Sequence, residues 1–136
     1  MQKLQDLISS ISNEIEECPD GTVLTGKLRA GAARLQDAAA AIKKELEECD
    51  EKCLQARYHT SGLYNDVARK LCLRGMNYEG TLKDAGASLE KLQQLLKEQQ
   101  VLEEKDAAVQ QALSRIQEHL QEQQAKAAAG SLNPPL

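Results

Sequence analysis

Apolar residues recur along most of this chain at alternating steps of four and three. From Leu28 every seventh residue is Leu28, Leu35, Ile42, Cys49, Ala56 and Leu63; from Ala32 it is Ala32, Ala39, Leu46, Cys53, Thr60 and Val67. Interleaved, the two series form the a/d seam of a coiled coil, with the Leu28 series at d and the Ala32 series at a. Met1, Leu4, Ile8, Ile11, Ile15 and Cys18 carry the same alternation at the start. It is interrupted at Cys18-Pro19-Asp20-Gly21, where the residue before proline is pushed from helical angles and Gly21 suits a left-handed turn.

The pattern predicts a first helix over about 1–17 and a second from near Thr22 to about Arg74. Gly26 and Gly31 weaken its opening by about 1 kcal/mol each against Ala. Thr60-Ser61-Gly62 is a second soft point, although the seam crosses it in phase. Arg74–Gly80 then breaks the periodicity, and Thr81 with Asp84 resembles a capping box opening a third helix. That helix presents two registers, Leu82, Ala85, Leu89, Leu92, Leu96 and then Leu95, Leu102, Val109, Leu113, Ile116, Leu120. They differ by one position, which predicts over-winding or rotation near Leu95 and Leu96.

Helices two and three have matched lengths of about 70 Å at 1.5 Å per residue, and the short link makes an antiparallel hairpin. Folding about residue 77 sets residue n opposite 154 − n, so Cys49 faces about 105 and Thr60 about 94. The middle seam of helix two is then small or polar, and helix three offers Gln99 and Asp106 at the same level. A hydrated stretch is one expectation there; a seat for another helix is the other.

The expected fold is all-α: a long antiparallel helical hairpin of coiled-coil type after a short N-terminal helix, completing a three- or four-helix bundle with partner helices. The divisions are 1–18 for the N-terminal helix, 22–128 for the hairpin with its loop near 75–80, and 129–136 for a disordered tail. Composition agrees with slim helices. There is no Phe or Trp, only three Tyr, and no proline between 20 and 133. Without a period-two run of β-branched residues there is no strand signal.

A net charge of −4 with acidic runs at Glu14–Asp20 and Glu45–Glu51 disfavours nucleic acid and anionic membrane as partners. No apolar run reaches the roughly 18 residues of a membrane span, and the first fifteen residues lack the regions of a signal peptide. The expected location is therefore cytoplasmic or nuclear, with the four cysteines as thiols.

Cys49 and Cys53 have metal-ligand spacing, but Cys18, Cys72, His59 and His119 are scattered, and a thiol at a seam position simply packs. No nucleophile, P-loop or dinucleotide motif accompanies the histidines. The expectation is a non-enzyme with no cofactor and no metal.

An extended hairpin buries less than a sphere, and a short first helix is marginal alone. The residues expected to meet partner helices are Leu28, Leu35, Ile42, Leu46, Leu63, Val67, Leu89, Leu92, Leu102, Val109, Leu113, Ile116 and Leu120. A possible docking tip is Arg69, Lys70, Arg74, Met76 and Tyr78, where the cations also complement a helix C-terminus. The function expected is a structural subunit assembling with other helical chains, homo- or hetero-oligomeric. Cytoskeletal, centrosomal, kinetochore and tethering assemblies use such architecture. The alternatives are a peripheral lipid-binding helical protein, for which the aromatic and basic residues are wanting, and a thiol redox or metal protein.

Overall fold

A computed structural model describes residues 2–132, with side chains over 2–129. It is all-α, with α1 over Gln2–Glu16, α2 over Thr22–Cys72 and α3 over Glu79–Leu132. Two compact units are present: one holds residues up to Lys43 and those from Glu104 on, and the other is Lys44–Glu103. The first contains α1, the start of α2 and the end of α3; the second is a two-helix hairpin.

Helix ends follow local chemistry. After α1 the Glu17 N–H donates to the Asn13 carbonyl at 3.1 Å, and Gly21 takes φ +133°. Gly75, at φ +79°, turns the chain after α2. α3 opens two residues before the expected Thr81. Its cap is Asn77, whose Oδ1 accepts the Glu79 N–H at 3.0 Å. Thr81 has another task, since its hydroxyl accepts from Lys70 Nζ at 2.8 Å. α3 also runs to Leu132, past the expected start of the tail; residues 133–136 lie outside the described residues.

The α2 ladder from Leu28 to Val67 is buried or half-buried at every a and d step. In α3 the structure corrects the expectation of two registers. Thr81, Ala85, Ser88, Leu92, Leu95, Gln99, Leu102, Asp106, Val109, Leu113, Ile116, Leu120 and Gln123 form one unbroken ladder of fours and threes, each buried or half-buried. No over-winding is required at Leu95 and Leu96. The break arose from assigning the exposed Leu82 and Leu89 to the seam in place of Thr81 and Ser88.

The level of the hairpin is corrected as well. In the hairpin unit Thr60 Oγ1 lies 2.6 Å from Ser88 Oγ, so residue n stands opposite 148 − n rather than 154 − n. The pairing of hydroxyls and apolar layers sets this level; the centre of the loop does not. The Cys49 thiol consequently contacts the Leu95 carbonyl at 3.6 Å, not residue 105. Cys49, Cys53 and Leu102 form a buried cluster with Leu46, Leu95 and Leu96 packed against it. Leucines pack the Cys49 and Cys53 layers of the stretch where a hydrated gap or a seat for a further helix was expected, while a groove stays open beside Ala56 and Ser88. Among the described residues no buried side-chain N or O lacks a partner.

In the other unit α1 lies against α2 and α3 through Ile11, which is buried. Gly31 makes this approach feasible. A Cβ there would stand 2.8 Å from Ile11 Cγ2 and 3.5 Å from Ile116 Cδ1. A small cavity of about 130 Å³ remains between Ile8, Ile11, Ile15, Leu35 and Ile116. Asp20, in the link after α1, accepts from Lys126 Nζ at 2.6 Å and Gln123 Nε2 at 3.3 Å, tying that link to the end of α3.

Candidate interaction face

Most of the stripe expected to meet partners is covered by the chain's own helices. Leu28, Leu35 and Val109 are fully buried, and Ile42, Val67, Leu92, Leu102 and Ile116 are buried. Leu46, Leu63, Leu113 and Leu120 are half-buried. Leu89 is the exception, exposed on the flank of the seam.

In an antiparallel pair, e positions of both helices border one side of the seam and g positions the other. The g side of the hairpin unit is polar. Lys52, His59, Lys91 and Glu98 line a groove of about 550 Å³ floored by Ala56 and Ser88. The e side differs. There α2 presents Tyr64 and Leu71 at e, with Ser61 and Ala68 at the adjoining b positions. α3 presents Leu82 and Leu89 at e, with Gly86 and Gln93 at b. None of these eight is charged, in a chain of which 28% is Asp, Glu, Lys or Arg.

The four large residues are exposed: Leu71 by 60%, Leu82 by 44%, Tyr64 by 37% and Leu89 by 36%. The e positions of the other unit are Arg29, Gln36 and Lys43 on α2 and Gln110, Gln117 and Gln124 on α3. The apolar flank is thus confined to the part of the hairpin unit nearest the loop; farther along the same unit the e positions are Asp50 and Arg57 on α2 and half-buried Leu96 and exposed Glu103 on α3. Hydrophobicity alone places Leu82 and Leu89 in the seam, so the e/b pattern emerges only with the α3 ladder.

The tip divides. Arg69 pairs with Asp66 on its own helix, and Lys70 Nζ lies 3.4 Å from Asp66 Oδ2 while donating to Thr81. The Arg69 hydrogen bond first, and the Lys70 charge after it, hold the Asp66 carboxyl below its usual range. Lys70 therefore joins α2 to α3. Arg74 and Met76 are exposed, and Tyr78 is half-buried with its carbonyl accepting the Leu82 N–H at 2.9 Å. The structure does not gather these five into one surface of like chemistry.

Cys49 and Cys53 are buried free thiols, and burial pushes the Cys49 thiol above its ordinary pKa, followed by the neighbouring Cys53. A thiol held neutral in an apolar cluster is a packing group. Among the described residues no three His, Cys, Asp or Glu side chains are grouped to hold a metal ion. No helix among them is long and apolar enough to cross a membrane. His119 Nδ1 lies 3.7 Å from Glu122 Oε2 on the surface, and His59 is exposed. The chain matches no family model, no curated protein and no solved structure.

Proposed function

We propose that this chain is a non-catalytic structural subunit that assembles with helical protein surfaces through the uncharged flank of its hairpin unit. The observation that carries the reading is the exposure of Tyr64, Leu71, Leu82 and Leu89 together on one side of a seam that is already filled. The a/d residues build the fold; Tyr64, Leu71, Leu82 and Leu89 at the e positions near the loop remain for association. Contiguous apolar surface bordered by polar groups marks interaction sites on soluble proteins. Assemblies of the cytoskeletal, centrosomal, kinetochore or tethering kind are the setting this architecture suits, in the cytoplasm or nucleus. The test is the size of the full chain by light scattering, purified alone and recovered from a native extract, beside the same chain carrying Leu71→Glu. Supporting the reading, the wild type exceeds monomer mass in at least one preparation and the variant does not. Monomer mass for the wild type in both preparations contradicts it.

A further inference from the structure

We propose that the occupant of the hairpin flank is a second copy of the same flank, packed with its helices reversed; this rests on the assembly role proposed above and names its partner. Two observations select a copy of this chain over a foreign acidic or basic helix. The first is the border of the face. On α3 the flank is edged by Lys83 and Glu90, one turn to either side of Gly86 and opposite in sign. When α3 meets a reversed copy of itself about that point, each Lys83 comes level with the partner's Glu90, and the match occurs twice. The ends of the face carry Arg57 on α2 and Glu79 on α3. These four charges sum to zero. A uniformly acidic or basic partner meets repulsion from half of them, whereas a reversed copy does not. Among the described residues, none of Arg57, Glu79, Lys83 and Glu90 is in an ion pair within the chain.

The second observation is size and relief. The four large side chains leave on the order of 350 Å² exposed, nearly half of the roughly 800 Å² per partner in a standard interface. Ser61, Ala68, Gly86 and Gln93 lie beside them along the two helices. A Cβ at Gly86 would meet nothing within 4 Å, so a depression is open at the middle of the face. Large residues at e and the small Ser61, Ala68 and Gly86 at b are the knobs and holes that a two-fold contact needs, because the same patch must supply both.

The experiment is sedimentation equilibrium of the full chain over a concentration series, with far-UV circular dichroism on each variant. Leu82 is exposed, so Leu82→Glu keeps the helical fold and weakens self-association by about a hundredfold or more. Lys83→Glu and Glu90→Lys each weaken it about three- to tenfold at low salt, and K83E/E90K together restore it to near the wild type. A chain that stays monomeric at every concentration overturns the proposal, as does a dimer that Leu82→Glu leaves intact or a double reversal no better than the singles. If the purified chain is monomeric while the extract yields a larger complex lost with Leu71→Glu, the second copy is excluded and the assembly role stands. Monomer mass in both preparations removes both.

Discussion

Replacing Gly31 by Ala separates helix propensity from packing at one atom. On propensity alone the substitution stabilises a helix by about 1 kcal/mol. Gly26 supplies the reference, because a Cβ there meets nothing within 4 Å. At Gly31 the added Cβ would stand 2.8 Å from Ile11 Cγ2, within a distance that side chains do not tolerate, with Ile116 Cδ1 behind it at 3.5 Å. Overpacking of this sort costs about 1–3 kcal/mol, so the packing loss equals or exceeds the propensity gain. Gly26→Ala is expected to raise stability by about 0.5–1 kcal/mol, and Gly31→Ala to fall short of it by about 1–3 kcal/mol. The assay is urea unfolding followed by circular dichroism, with amide exchange reporting on α1 separately. Ile11→Leu removes the β-branch methyl that the new Cβ would meet, so it should recover part of the deficit in the Gly31→Ala background. Equal stabilisation by the two alanines, with α1 amides unchanged, would refute the close approach of α1 to α2.

Three further outcomes are expected. Thr60→Val leaves the Ser88 hydroxyl without its 2.6 Å partner and should cost about 1 kcal/mol in denaturant unfolding, while Thr60→Val with Ser88→Ala should recover most of it. A thiol reagent at neutral pH should label exposed Cys72 first and Cys18 next, with Cys49 and Cys53 reacting only as the fold opens; equal rates would contradict the buried cluster. The Lys126 hydrogen bond and charge, and then Gln123, hold the Asp20 carboxyl below its ordinary value of 3.8. Its stabilising contribution is therefore present above that value and lost as the pH falls through the lower folded pKa. Lys126→Ala should remove this acid dependence and raise amide exchange in the link after α1.

The seam of α2 was fully legible in the sequence, because a and d residues from Leu28 to Val67 are apolar or small at every step and the period alone identifies them. The seam of α3 was not, because Thr81, Ser88, Gln99, Asp106 and Gln123 occupy seam positions while Leu82 and Leu89 stand beside it. Hydrophobicity follows burial when water is the alternative, but Thr60 and Ser88 satisfy each other and so remain inside. Loop length gave the antiparallel pairing but not its level, since the level depends on which layers match and the loop only has to reach. Gly31 read as a weak point of α2, although its missing side chain is what admits Ile11. The candidate face was hidden by the same misassignment: Leu82 and Leu89 counted as core cannot also be counted as surface.

The central claim is that folding and association reside in different residues of one hairpin, the filled seam and the uncharged flank. The molar mass of the Leu82→Glu chain recovered from a native extract, measured by light scattering and taken with its helicity beside the wild type, tests this most directly. Undiminished helicity and the 14.9 kDa mass of a single chain are expected, where the wild type is larger. A variant that loses its helices, or one that keeps the wild-type mass, would contradict it.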